Sequence, residues 1–134
     1  MLSDTNYKRL KHLESLKKTG FQLFQICSKI QAGQEVYELI RIYADLAQEI
    51  EFDFLHKILK DQDAQNLLSK LLKLERWSVI LIFYFKVMKR SDPKLDSVLK
   101  KLASEVWRSH VYLITWLRML KIFGSLRNFS LDQY

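Results

Sequence analysis

The amino-acid sequence predicts an all-α protein, a single-domain helical bundle of four to five helices with a hairpin of two long helices at its centre. The 134 residues include three glycines and one proline, too few turn residues for a protein built of sheets. Hydrophobic residues make up 49% of the chain, which is enough for a packed core. Apolar residues also recur at alternating intervals of three and four, the spacing of packed helices.

The N-terminal quarter of the chain predicts two short helices separated by a glycine. Ser3 or Asp4 can cap the first helix, because short oxygen-bearing side chains accept hydrogen bonds from free backbone N–H groups. Gly20 is the residue type that commonly ends a helix, so the first helix is expected to stop there. A second helix is expected over residues 21–32, ending at Gly33.

The third predicted helix begins near Gln34 and continues to Lys60. Its apolar residues alternate spacings of four and three and form one seam, the stripe of side chains that faces a neighbouring helix in a bundle. The predicted seam consists of Val36, Ile40, Tyr43, Ala47, Ile50 and Phe54.

Two long helices are predicted over residues 64–90 and 93–123, and together they form the central hairpin. Between them Asp92 is placed to cap, and Pro93 takes the first helical position, where its missing N–H costs nothing. The seam of the former helix is Leu67, Leu71, Leu74, Ser78, Leu81, Phe85 and Met88. The seam of the latter is Leu95, Leu99, Leu102, Val106, Ser109, Leu113, Trp116, Leu120 and Phe123. Residues 1–124 are expected to form the bundle domain, followed by a C-terminal tail over 125–134.

Residues 77–88 are apolar on every side of their helix, with only Ser78 and Lys86 as exceptions. The stretch is too short to span a bilayer, which takes about 20 residues. The side facing away from the seam either packs under the first two helices or binds another polypeptide. The second alternative leads, because exposed aromatic and aliphatic side chains commonly anchor interfaces. The predicted partner-binding residues are Trp77, Ile80, Tyr84, Trp107 and Trp116.

Charge supports a second function. The net charge is +7, and it is unevenly distributed: residues 34–67 carry three basic and eight acidic residues, whereas residues 68–134 carry thirteen basic and five acidic residues. Such a basic surface attracts nucleic acid, an acidic protein or an anionic membrane alike. The alternative function is therefore a nucleic-acid-binding subunit that contacts the phosphate backbone through the last long helix. Its predicted contacts are Lys94, Lys101, Arg108, Lys70 and Lys73.

One group of residues has the spacing of metal ligands. Glu49, Asp53 and His56 lie four and three residues apart, which places them on one helix face. A di-iron carboxylate site needs a matching acidic-x-x-His pair on a facing helix, and the sequence has no second such pair. A solvated acidic face is the expected alternative. We expect no metal, no cofactor, no small-molecule substrate and no enzymatic activity.

Cys27 is the sole cysteine, so the chain cannot form an intrachain disulfide. Its apolar neighbours predict a buried thiol, and a single thiol favours a reducing compartment. The protein is therefore expected to be intracellular, either cytoplasmic or nuclear, without a transmembrane segment. The leading function is a non-enzymatic interaction or assembly subunit, which binds a protein partner or a second copy of itself through an apolar helix face.

Overall fold

The computed structural model describes residues 4–30, 33–56, 61–88 and 92–122, and these residues form helices without any strand. The elements are α1 (Asp4–Lys29), α2 (Gln34–His56), α3 (Asp61–Met88), α4 (Pro93–Ser109), a π turn (His110–Ile114) and α5 (Thr115–Ile122). α4, the π turn and α5 follow one another without a break, so the described residues form four helical rods. This result confirms the all-α class and the predicted number of helices.

The four rods form a ring. α1 packs against α2 and α4, while α3 packs against α2 and against the rod of α4 and α5. Within the described residues, the backbone of α1 does not come close to that of α3, nor that of α2 to that of α4. Each rod therefore has two close neighbours, faces the core with its third side and turns its fourth side outward. The predicted central position of the hairpin is not confirmed, because the α1–α2 pair occupies an equivalent half of the ring.

α1 runs straight through Gly20, so the predicted break between two short helices is wrong. Gly20 is buried against α2, where an added Cβ would lie 3.3 Å from Cδ1 of Tyr43 and 3.5 Å from Cβ of Ala44. The glycine therefore permits close approach of two helices. Its cost inside a helix, about 1 kcal/mol relative to alanine, is offset by packing along the whole rod.

The predicted seams form the core. All six seam residues of α2 are fully buried. The α3 seam is buried from Leu67 to Phe85, and only Met88, at the helix end, is largely exposed. Along α4 and α5 the seam is buried or half-buried from Leu95 to Leu120. The three-four periodicity thus identified which side of each long helix faces inward.

The start of α4 agrees with the predicted cap. Oδ1 of Asp92 accepts hydrogen bonds from the backbone N–H of Lys94 at 2.8 Å and of Leu95 at 3.2 Å, and Pro93 is the first helical residue. Several other predictions fall outside the described residues and side chains: the cap at Ser3 or Asp4, the helix ends at Ala32, Lys60, Arg90 and Phe123, and the tail over 125–134.

Candidate functional site

The structure separates the residues that the sequence grouped on the second side of α3. Lys70, Trp77 and Tyr84 are seven residues apart and share one side of the helix. Nζ of Lys70 lies 2.8 Å from Oε1 of Glu49 and 2.5 Å from Oδ2 of Asp53, so this side faces α2. Trp77 and Tyr84 are accordingly half-buried against the core.

The outward side of α3 carries an exposed apolar stripe. Ile80, Phe83 and Val87 are 44%, 62% and 75% exposed, and their spacings of three and four place them in one row along the helix. Val79 and Met88 flank that row and are also largely exposed. We call these five residues the outer α3 face. It consists entirely of aliphatic and aromatic side chains, a composition that favours burial against another surface.

A cleft of about 500 Å³ adjoins the N-terminal end of this face. It is lined by Leu72, Glu75, Arg76, Val79 and Ile80, so apolar side chains of the face continue into it beside one acid and one base. This arrangement provides an apolar contact area with polar groups at its edge, which is the usual anatomy of a protein interface.

Trp107 of α4 lies at the same level along the bundle as the start of the outer α3 face. Nε2 of His110 contacts Oε2 of Glu75 at 2.9 Å, which joins α4 to α3. Trp107 precedes His110 by one turn, and Val79 follows Glu75 by one turn. Because successive rods run in opposite directions, Trp107 and Val79 lie at the same level of the bundle. Trp107 is 70% exposed, so its indole adds apolar surface at this level.

Trp116 does not belong to the exposed surface, and its assignment as a partner-binding residue requires correction. Its side chain is 5% exposed, and its ring packs edge-on against that of Phe54, with 6.4 Å between the ring centres. The guanidinium of Arg9 lies 4.0 Å from the centre of the indole. The sequence contained the signal for this burial, because Trp116 occupies a position of the α5 seam.

The predicted basic residues do not form one surface. Lys70 is paired with two carboxylates of α2 and therefore lies on the side of α3 that faces α2, away from the α4 rod. Lys73 is exposed on α3. Lys94, Lys101 and Arg108 share the α4 rod and make no ion pair with any described residue. The positive charges of Lys101 and Arg108 nevertheless act on buried Glu105, where they oppose the rise in its pKa.

The residues with metal-ligand spacing are engaged in other contacts. The ammonium group of Lys70 lies between the carboxylates of Glu49 and Asp53, at the position a bound cation would take. His56 is exposed, and its ring lies 4.5 Å from that of Phe52. Among the described residues, no three potential ligand side chains lie close enough to hold a metal ion.

A buried polar ladder between α1 and α4 is the feature that sequence reasoning missed. Hydroxyl donors of Ser15 and Thr19 reach the two carboxylate oxygens of Glu105, each at 2.6 Å, and Glu105 is fully buried. Nε2 of His12 lies 2.7 Å from Oγ of Ser109. The ladder connects α1 to α4 through buried polar groups.

The π turn extends the same ladder. Nε of Arg9 donates to the backbone carbonyl of Tyr112 at 2.9 Å, and its Nη1 donates to Oδ1 of Asn6 at 2.6 Å. A π turn widens the helix locally and alters its hydrogen-bond pattern, which allows a side chain to reach a backbone carbonyl. The signal in the sequence was a row of polar residues at intervals of three and four in α1: Asn6, Arg9, His12, Ser15 and Thr19.

Burial changes the chemistry of the ladder. Burial raises the pKa of Glu105, against the opposing effect of the hydroxyl hydrogen bonds from Ser15 and Thr19. Burial and then the positive charge of Arg108 lower the pKa of His12 to about 4. Both shifts favour the neutral form of the side chain, as expected where water is excluded.

The contact between His12 and Ser109 has the length of a base–nucleophile pair but lacks its other requirements. Both side chains are at least nine-tenths buried. An imidazole with a pKa of about 4 is a weak general base at neutral pH. Nδ1 of His12 has no hydrogen-bond partner among the described residues, so no acid orients the ring. The pair therefore serves to join two helices.

The chain matches no family model, no curated protein and no solved structure. Its surfaces must therefore be interpreted from their own geometry. None of the described helices is both long enough and apolar enough to cross a membrane.

Proposed function

We propose that the protein is a non-enzymatic interaction or assembly subunit that buries the outer α3 face against another polypeptide, either a partner or a second copy. The observation that carries this proposal is the row of Ile80, Phe83 and Val87, whose side chains are 44%, 62% and 75% exposed. Removing apolar surface from water contributes roughly 25 cal/mol per Å², so a partner that covers this row stabilises the complex. In this proposal the α3–α4 hairpin is the interacting unit.

The ring arrangement supports an external cover for this face. α2 and the α4 rod flank α3 on two sides, and its seam fills the core on the third. The fourth side points away from the bundle, and the backbone of α1 does not come close to that of α3 within the described residues. A partner helix laid along that side would contact aliphatic and aromatic side chains at positions i, i+3 and i+7 of α3. Such a row of side chains commonly anchors one helix to another. A cytoplasmic or nuclear location fits the single buried thiol of Cys27.

Sedimentation of the full chain tests the proposal. The wild-type protein is expected to sediment above its monomer mass of 16.1 kDa, or together with a co-purifying partner. The double variant Phe83→Lys/Val87→Lys should sediment as a monomer, because two ammonium groups would have to be buried in the interface. Phe21→Lys is the matched control, since Phe21 is 71% exposed on α1, away from the face. A wild-type monomer at low and high salt, with nothing bound, contradicts the proposal.

Nucleic-acid binding is the second candidate, and the free cations of α4 favour it. Lys94, Lys101 and Arg108 recur every seven residues, about 10 Å apart at 1.5 Å per residue, and none is neutralised by an ion pair with a described residue. Lys101→Glu/Arg108→Glu should abolish binding to nucleic acid and leave the sedimenting mass unchanged. A fall in mass without any loss of nucleic-acid binding would contradict this candidate.

A further inference from the structure

We propose that the cleft between α1 and α4 binds a phosphate dianion, either free or as the terminal group of a small phosphate ester. The cleft has a volume of about 280 Å³ and lies on a different side of the bundle from the outer α3 face. Its walls include three cations, two phenol rings and one imidazole: Lys8, Lys11, Arg108, Tyr7, Tyr112 and His12. Among the described side chains, no carboxylate lines it.

The charge of the cleft points to a dianion. Lys8 and Lys11 come from α1 and Arg108 from α4, so cationic residues of two helices line one space. Lys8 and Arg108 make no ion pair with a described residue, and Lys11 pairs with Glu14 at 3.4 Å on the exposed side of α1. A guanidinium binds two phosphate oxygens at once, and ammonium groups add point charges. A phosphate ester carries close to two negative charges at neutral pH and suits such a set.

His12 forms part of the wall of this cleft. Its side chain is 4% exposed, it lines the cleft, and its Nδ1 has no hydrogen-bond partner among the described residues. A buried polar atom without a partner is uncommon in native proteins and is often explained by a water or an ion that binds nearby. The hydroxyl of Ser15 also lines the cleft. The cleft thus combines fixed positive charge with a polar wall that is incompletely satisfied.

Charged groups of each neighbouring element determine how His12 responds to a bound anion. Arg108 of α4 disfavours protonation of His12, and Glu105 of the same helix is engaged by hydroxyl groups of α1. On α2, the carboxylate at the α1 contact is Glu51, which is paired with Lys17 at 3.0 Å. A dianion beside Arg108 would offset its charge, so the ring resonances of His12 should shift when the cleft is occupied.

The dimensions of the cleft favour a small ligand. The rings of Tyr7 and Tyr112 form part of its wall, and its cationic residues line one space instead of being spread along a helix. A polynucleotide would instead contact charges spread along the rod, including Lys94 and Lys101. A small phosphate ester therefore fits this cleft better than a nucleic-acid strand does.

Titration of the full chain with inorganic phosphate, followed by NMR of the His12 ring, tests the proposal. Saturable shifts are expected in the wild type. Lys8→Gln/Arg108→Gln should weaken binding by roughly tenfold or more, since two charge-assisted contacts are lost. Lys73→Gln/Lys100→Gln removes the same charge from exposed positions outside the cleft and should bind as the wild type does. Equal weakening in both variants, or shifts that do not saturate, would overturn the proposal.

Competition between ligands identifies the source of the phosphate. Glycerol phosphate should displace inorganic phosphate, with the same dependence on Lys8 and Arg108. A single-stranded oligonucleotide and vesicles containing phosphatidic acid should not compete more strongly than the small ester. A different result would overturn the small-ester proposal in favour of a nucleic-acid surface. In that result the oligonucleotide binds more tightly than the small ester, and Lys94→Gln/Lys101→Gln weakens oligonucleotide binding as much as Lys8→Gln/Arg108→Gln does.

Discussion

Protonation of His12 should make the bundle sensitive to acid. The folded protein holds this imidazole buried and neutral, and burial followed by the charge of Arg108 lowers its pKa from 6.5 to about 4. The unfolded chain binds a proton at the higher value. The stability that depends on neutral His12 is therefore complete above pH 6.5, and it is lost as the pH falls toward 4.

The expected loss follows from the size of the pKa shift. Lowering the pKa of His12 from 6.5 to about 4 corresponds to about 3 kcal/mol of folding free energy once His12 is protonated in both states. Most of it, about 2 kcal/mol, should already be lost at pH 5. This is a large fraction of the total stability of a small domain, which is about 5–15 kcal/mol. Solvent screens this effect little, because the side chain is 4% exposed.

Urea unfolding at pH 7 and pH 5, followed by tryptophan fluorescence, measures this loss. Between pH 7 and pH 5, the free energy of unfolding of the wild type should fall by about 2 kcal/mol more than that of His12→Gln, whose amide cannot titrate in this range. The raised pKa of Glu105 acts in the opposite direction, favouring the folded state as the pH falls, but it is present in both proteins and cancels in the difference. His56→Gln is the control, since His56 is exposed. Equal losses in the wild type and His12→Gln would refute the reasoning.

Three further predictions concern packing, capping and reactivity. Gly20→Leu should lower the free energy of unfolding in urea by about 1–3 kcal/mol, because side chains of α2 leave no room for a larger residue. Gly33→Ala is the control and should change this free energy little, because no atom lies within 4 Å of the added Cβ. Asp92→Ala should cost about 1 kcal/mol in the same assay through loss of the α4 cap, and Asp96→Ala, which removes an exposed carboxylate, should cost less. Burial raises the pKa of Cys27 to about 11, so a thiol reagent at pH 8 should label the native protein far more slowly than the urea-unfolded chain; equal rates would contradict its burial.

The helical pattern was readable where each helix follows one simple rule. The α2 seam repeats at intervals of four and three without interruption, and every member of it is fully buried. The cap at Asp92 followed from the chemistry of two adjacent residues, Asp92 and Pro93, and needed no information from distant parts of the chain. Local rules suffice in both cases because the decisive contacts lie within a few residues.

Gly20 shows where a local rule fails. Glycine ends many helices, and nothing nearby in the sequence indicates another role. The reason for glycine at this position is Tyr43 of α2, whose ring approaches to 3.3 Å of where a Cβ would lie. A contact between residues so far apart in sequence exists only after the helices have packed, so residue spacing within α1 could not reveal it.

The polar ladder shows the same limit for the candidate sites. Each member of the row in α1 is an ordinary polar residue by itself, and Glu105 looks like a surface carboxylate in the sequence. Only the packing of α1 on α4 brings Glu105 to the hydroxyl groups of Ser15 and Thr19 and excludes water from all three. The cationic cleft depends on the same packing, because Lys8 and Arg108 come from opposite ends of the chain.

The sequence by itself determined that the protein is helical, that helices begin at Gln34 and Pro93, and which stripe of each long helix is apolar, because these properties depend on neighbours within one or two turns. Tertiary structure decided which remaining apolar residues are covered. Along residues 77–88, packing against α2 half-buries Trp77 and Tyr84, while Ile80, Phe83 and Val87 stay exposed on the outward side. Periodicity shows that a helix is apolar on all sides, but only the positions of the other helices determine which side remains open to a partner.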